Sequence, residues 1–403
     1  MYRMIKRITA FFLSWKFFIV AITLILAPLF KDNFVFLPAE HGFRTQIQSS
    51  PLIRMFANFD GTSYLELARN GYSASELGYF PFYPILIGFF SGFTKMLFNH
   101  RYYVVTGQII SNASFFISLL IFYQIAKFDK QLKLFPLLMT IVLLYPTSFF
   151  FGATYNDALF LLLASLTILC SRKKWWLLAG ISGALATITR LNGLALFFLI
   201  IVEYLLQKND DSKFMQNLDY RKWFAAVKKT FSIKNVVKDR IYWALFIPGA
   251  FLGYLWYIQN KFGSFLLLFT SMSAWGQDKI IFPLQTVWRY IKIIVLYPTF
   301  QLNYWVAVLE LISVVLYVFI LWYSLKKIRF SYWIFMLISF LIPSLTGTFQ
   351  GMPRYALHLY PFFLSLAILL NNSSIRIKIL YFLVNSVLLV ILLGMFTHGY
   401  FVA

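Results

Sequence analysis

Phe80-Pro81-Phe82-Tyr83-Pro84-Ile85-Leu86-Ile87-Gly88-Phe89-Phe90-Ser91-Gly92-Phe93-Thr94-Lys95-Met96-Leu97-Phe98 is the stretch on which the reading of the whole chain turns. It is apolar and nearly long enough to cross a bilayer, and if it crosses, every later helix changes side. The basic clusters Arg172-Lys173-Lys174 and 208–240 would then face outside, against the rule that Lys and Arg collect in cytoplasmic loops. If the segment lies along the outer surface or re-enters, everything downstream agrees with that rule. Pro81 and Pro84 near its start, with Gly88 and Gly92 further on, weaken it as a spanning helix and favour the second threading.

The membrane frame itself comes from composition. Of 403 residues, 60% are hydrophobic and only 12% charged, which excludes an ordinary soluble domain. A formal net charge of +22 would suggest nucleic acid in a soluble protein; here it fits loops lying against anionic membrane lipids, and no nucleic-acid partner is expected. The single cysteine, Cys170, excludes an intramolecular disulfide and a cysteine metal site. Arg3, Lys6 and Arg7 precede an apolar run over 10–30 that reads as an uncleaved first helix.

These rules predict an all-α polytopic membrane protein, one integral membrane domain over 1–403. About eleven spans are expected, near 10–30, 104–126, 134–151, 156–170, 175–189, 193–207, 241–260, 303–324, 331–347, 355–371 and 379–398. The amino terminus is then cytoplasmic, with 23 Lys and Arg in cytoplasmic segments against 12 outside. A first external loop covers 31–103, with its surface-lying or re-entrant segment at 80–98 and short juxtamembrane helices. A second external stretch covers 261–302. The cytoplasmic piece 208–240, with Trp223 and Phe224 among its basic residues, reads as a lipid-hugging linker or as a regulatory or partner site.

Chemistry must then happen at the membrane face. In the first loop, Asp60-Gly61-Thr62-Ser63 reads as a turn entering a short helix that ends at Asn70-Gly71, so Asp60 is a helix cap, a fixed carboxylate, or both. Asp157 follows Asn156 where a helix re-enters, again a cap by default. Arg190 and Arg354 fall at external helix ends, against the general bias; each either snorkels to head groups or grips a phosphate. His358 lies one turn after Arg354 on the same face. Glu310 and Lys16 lie within expected spans and are left unassigned. No metal is expected, since the acidic residues of the loop are not adjacent and the four histidines are scattered.

Four pieces in order carry a resemblance. They are Phe59-Asp60-Gly61-Thr62-Ser63-Tyr64-Leu65 through Asn70-Gly71-Tyr72 and Tyr79-Phe80-Pro81-Phe82-Tyr83-Pro84; Tyr155-Asn156-Asp157-Ala158-Leu159-Phe160; Ala179-Gly180 through Thr189-Arg190-Leu191-Asn192-Gly193; and Met352-Pro353-Arg354-Tyr355 through Tyr360-Pro361. Together they resemble the PIG-V family, the second mannosyltransferase of GPI-anchor synthesis, and its bacterial relatives. The likeness covers about residues 54–205 and 347–371. Phe59 stands where that family usually has Trp, and Asp157 where it often has Glu.

The resemblance implies a GT-C-type helix bundle and an inverting transfer of a hexose, mannose by family habit, from a polyprenyl-phosphate donor to a glycan or lipid acceptor. It makes Asp60 the catalytic base, which suits a donor whose leaving group is already good. Arg190 and Arg354 would meet the donor phosphate, Asp157 would be a second acid or an acceptor contact, and Tyr64, Tyr79, Phe82, Tyr83, Trp275 and His358 would wall the sugar. The lipid-linked sugar is a substrate, and no cofactor is expected. Compact loops and the lack of a eukaryotic retention signal point to a bacterial plasma membrane with the site facing outside. The rival classes are a transporter or flippase of lipid-linked sugars, which would carry more charge at mid-membrane, and a non-catalytic subunit of a glycosylation complex.

Overall fold

The computed structural model of the chain describes residues 2–31, 51–99, 102–209, 227–277 and 279–402. Among these residues there are α-helices and short 3-10 turns and no strand. Six helices are long and apolar enough to cross a membrane: Arg3–Leu26, Tyr103–Phe128, Leu191–Lys208, Ile241–Phe262, Leu302–Ser324 and Ile375–Thr397. Met352–His358 and Tyr360–Asn371 meet at 94° and together have the length of a seventh. The chain is thus an all-helical protein with the spans of a polytopic membrane protein, and large side chains such as Phe17, Trp322 and Val315 stand exposed on those helices where lipid would cover them.

Seven of the expected spans coincide with these elements. The other four fall on shorter helices: Leu132–Leu143, Asp157–Arg172, Trp176–Thr187 and Phe330–Ser344. Sixteen residues of α-helix reach about 24 Å, short of a hydrocarbon core of about 30 Å. The reason is local in two cases. Tyr145-Pro146-Thr147 breaks the first of these before the 3-10 turn Ser148–Gly152, and Pro343 with Gly347 (φ 82°) ends the fourth. Backbone broken at such a depth is tolerated because it is packed in protein rather than lipid; Phe149, Phe150 and Phe151 are all fully buried.

The segment 80–98 does form a helix, Phe82–Phe98. Its prolines do not weaken it: Pro81 is the N-cap and Pro84 sits in the first turn, where no intrahelical N–H is missed. One face, with Tyr83, Ile87 and Ser91, is buried against the Asp60–Asn70 and Tyr103–Phe128 helices, while Ile85, Phe89, Phe93 and Met96 face outward.

Asp157–Arg172 is the centre of the bundle, packed between Tyr103–Phe128 and Trp176–Thr187. Small residues allow these close approaches: a Cβ on Gly180 would stand 2.2 Å from the Trp243 carbonyl oxygen, and one on Gly107 would stand 2.6 Å from Thr154. Both ends of this helix are pinned by ion pairs. At its far end Arg172 reaches Asp129 (2.7 Å) and Glu203 (3.0 Å), and Glu203 also holds Arg329 (2.6 Å). At its near end stands Asp157. The Ile233–Asp239 helix and the outer helix Pro283–Leu296 flank the bundle; residues 210–226, with Trp223 and Phe224, and 32–50 lie outside the described residues.

Candidate functional site: two carboxylates and two arginines around one cleft

The site begins with a strained turn. Phe59 has φ 54° and ψ −124°, a conformation that costs a non-glycine residue about 1–3 kcal/mol and persists only where neighbours over-determine it. Here they do. Asn58 Nδ2 donates to the Phe396 carbonyl (2.8 Å), the Asn58 carbonyl accepts from the Tyr155 hydroxyl (2.8 Å) and from the Gly61 N–H (3.1 Å), and the Phe59 carbonyl accepts from Thr62 N–H (2.9 Å). The Phe59 ring packs on Phe396 and edge-on to Phe401. Gly61 follows in a close approach, where a Cβ would stand 3.2 Å from the Thr154 carbonyl oxygen.

This turn delivers Asp60 as the first residue of the Asp60–Asn70 helix, where no side-chain cap bond is made. Its carboxylate instead accepts from Arg354 Nη2 (2.9 Å) and, at the limit of a hydrogen bond, from the Tyr79 hydroxyl (3.5 Å). Burial, and then the Asp60 carboxylate, push the Tyr79 hydroxyl well above its ordinary range, so Tyr79 stays a donor.

Asp157 likewise opens a helix without serving as its cap, and it is fully buried. Arg190 arrives from the extended residue between Trp176–Thr187 and the 3-10 turn Leu191–Leu194, its guanidinium 5.3 Å over the Tyr355 ring. Arg190 Nη1 donates to Asp157 Oδ1 (2.9 Å), and His358 Nε2 stands 2.7 Å from that oxygen and 2.6 Å from Arg190 Nη1. In this triangle a neutral His358 serves one partner at a time: it donates to Asp157 with Nε2 protonated and accepts from Arg190 with Nε2 bare. Arg354 comes from the single-turn helix Met352–Tyr355, held by Thr147 Oγ1 on the Pro353 carbonyl (3.0 Å). Its guanidinium lies over Phe150 and Tyr155, each at 5.2 Å, with Nε 3.7 Å from Asp157 Oδ1. Asp60, Arg354, Asp157 and Arg190 thus form an alternating chain of charge that sums to zero.

The cleft above this chain spans about 950 Å³, counting its open mouth. Asp60, Tyr64, Tyr79, Arg190, Trp275 and Arg354 line it. Trp275 stands edge-on to Tyr79 (4.9 Å) over Gly78, where a Cβ would be 2.4 Å from the indole. Three other predicted site residues lie one layer behind the lining. Asp157 and His358 are under the floor, and Tyr83 is turned away because its hydroxyl bonds the Gly107 carbonyl (3.0 Å) and Ser111 (2.9 Å). Phe82 is also not a lining residue; its N–H donates to the Ile188 carbonyl (2.9 Å).

Sequence reasoning missed Gln277, Thr346, Gln350, Gly351, Tyr355 and Phe401 in the lining. Gln350 and Gly351 adjoin the Arg354 motif and Tyr355 belongs to it, so all three were within reach; Phe401 carried no local signal. Among the described residues no group of three or more His, Cys, Asp or Glu is placed to hold a metal ion. No protein-family model, curated protein or solved structure matches the chain.

Proposed function

We propose that the protein is an inverting glycosyltransferase that moves a hexose from a polyprenyl-phosphate donor to an acceptor hydroxyl on the non-cytoplasmic side of a membrane, in a GT-C-like bundle. The observation that carries this reading is the convergence of Asp60, Arg190 and Arg354, from segments separated by up to 294 residues, on one cleft walled by tyrosines and a tryptophan. A carboxylate partly open to the cleft beside two guanidinium groups suits a reaction that needs a base on one side and charge neutralisation on the other.

The pairing of Asp60 with Arg354 gives the order of events. An incoming donor phosphate competes with Asp60 for the Arg354 guanidinium and also takes Arg190, whose share in Asp157 is covered by His358. Asp60, relieved of its partner, then faces the acceptor. It accepts the proton of the acceptor hydroxyl as that oxygen attacks the anomeric carbon, and the anomeric carbon–oxygen bond to phosphate breaks on the opposite face. The products are the inverted glycoside, a protonated Asp60 and a polyprenyl phosphate held by Arg190 and Arg354. Tyr79 donates to Asp60 and so keeps its orientation through the exchange of partners.

Mannose as the sugar, undecaprenyl phosphate as the carrier in a bacterial plasma membrane, and a cell-envelope glycan or lipid as the acceptor complete the reading. Incubation of the purified protein with a panel of polyprenyl-phosphate sugars, followed by assay of released lipid phosphate, tests it: release with at least one donor supports transfer, and release with none of them contradicts it.

A further inference from the structure

Glu310 has no place in the reaction above, yet it is 4% exposed in the middle of the apolar Leu302–Ser324 helix. Among the described residues no Lys, Arg or His pairs with it. A carboxylate so placed is costly unless hydrogen bonds satisfy it, and ionisable groups kept inside membrane spans generally have work to do. Both oxygens are used. Oε2 accepts from the Tyr290 hydroxyl at 2.5 Å, and Oε1 accepts from the Gly351 N–H at 3.3 Å.

Those two donors belong to one structure, the loop 347–351. Tyr290 projects from the Pro283–Leu296 helix, and its hydroxyl oxygen accepts from the Phe349 N–H (3.0 Å) while lying 3.3 Å from Thr348 Oγ1. Thr348 Oγ1 accepts from the Gln350 N–H (3.2 Å), and Arg289 Nη1 donates to the Gly347 carbonyl (3.3 Å). The loop is bounded by two left-handed glycines, Gly347 (φ 82°) and Gly351 (φ 78°), and places Gln350 and Gly351 in the lining of the cleft. Arg354 follows three residues later on a helix of four residues, too short to fix its own direction. The direction of that helix is therefore set by what holds it from outside: Thr147 on the Pro353 carbonyl along its length and, where it starts, Glu310 on the Gly351 N–H.

We propose that Glu310, acting with Tyr290, is a positioning residue: it clamps the 347–351 loop so that Arg354 is aimed at the phosphate of the substrate. The inference rests on the donor reading above for what Arg354 meets. It explains why a carboxylate and not an amide stands here, because only a carboxylate offers an acceptor on both atoms to the Tyr290 O–H and the Gly351 N–H together. It also ties the outer Pro283–Leu296 helix to the floor of the cleft.

The test uses the full-length protein in lipid nanodiscs with Glu310→Ala, Glu310→Gln and Tyr290→Phe. Two readouts are taken: hydrogen exchange of the peptide covering 347–355, and affinity for undecaprenyl phosphate alone. Loss of both hydrogen bonds to a buried charged group predicts, for Glu310→Ala, exchange over 347–355 faster by about tenfold or more and undecaprenyl phosphate binding weaker by about tenfold or more. Exchange in the Asp60–Asn70 helix stays unchanged. Glu310→Gln keeps one acceptor and falls between, and Tyr290→Phe follows Glu310→Ala. Unchanged exchange over 347–355, or a rise spread over the whole chain, overturns the clamp; faster local exchange with undiminished affinity overturns its role in aiming Arg354. If the unaltered protein does not bind undecaprenyl phosphate, the donor reading fails, and the exchange result alone decides whether Glu310 clamps the loop.

Discussion

Arg354 stands between two carboxylates, its Nη2 2.9 Å from Asp60 Oδ2 and its Nε 3.7 Å from Asp157 Oδ1. Asp60 is partly open to the cleft and Asp157 is fully buried. The arginine therefore has one exchangeable partner and one permanent one, and that asymmetry lets an incoming anion change the pairing without leaving a bare charge in the interior.

Replacing Arg354 separates the two roles. Arg354→Lys keeps the charge but not the fork that reaches both carboxylates, and should retain the fold with donor use lowered about tenfold to a hundredfold. Arg354→Ala should lower it further. Steady-state kinetics at varied donor concentration check this, and a loss confined to acceptor use would contradict the phosphate role.

Asp157 should matter to folding first. With Arg190 and His358 packed on it in a fully buried position, Asp157→Ala leaves the Arg190 guanidinium without its carboxylate and should destabilise by about 3–5 kcal/mol. Asp157→Asn, similar in shape and still an acceptor, should lose less. Thermal unfolding in detergent reads the difference; equal melting of the two variants would show that the charge of Asp157 is not what holds this end of the helix.

The strained turn makes an inverted prediction for Phe59. Phe59→Ala removes the ring packed on Phe396 and Phe401 but keeps a side chain at positive φ, whereas Phe59→Gly removes both ring and strain. The glycine variant should melt higher than the alanine variant by the equivalent of about 1–2 kcal/mol, yet turn over more slowly than the unaltered protein because Asp60 is no longer held. An alanine variant as stable as the glycine one would mean that the turn is not strained in solution.

Threading can be tested at the helix Phe82–Phe98. With Cys170 replaced by Ser, single cysteines at Ser75 and Asn99, both exposed, should react with an impermeant thiol reagent from the same, outer side. Reaction from opposite sides would establish that this helix spans, and with it would reverse every later loop.

Much of the site was readable because its members are polar residues in an apolar chain. Arg190 and Arg354 stood out by position and Asp60 by the resemblance of its loop, and all three line the cleft. What the sequence did not carry is what depends on distant partners. Asn58 looked like any loop residue, and its bond to the Phe396 carbonyl spans 338 positions. Glu310 was visible as an oddity, but Tyr290 and Gly351 were not visible as its partners. Asp60 and Asp157 both sit at helix starts, where a cap is the local expectation; ion pairs supplied from elsewhere in the bundle displaced that role in both. The four short helices were read as spans because apolar runs look alike whether lipid or protein covers them, and Asp157–Arg172 is covered by protein.

The most direct measurement is the release of polyprenyl phosphate from a polyprenyl-phosphate hexose by purified Asp60→Asn protein beside the unaltered one. Asn fills the same space and its one carbonyl oxygen still accepts from Arg354, so the fold and the donor site are kept while the base is lost. The account predicts donor binding within about threefold and turnover lower by about 10²- to 10⁴-fold. Undiminished turnover by Asp60→Asn would contradict it.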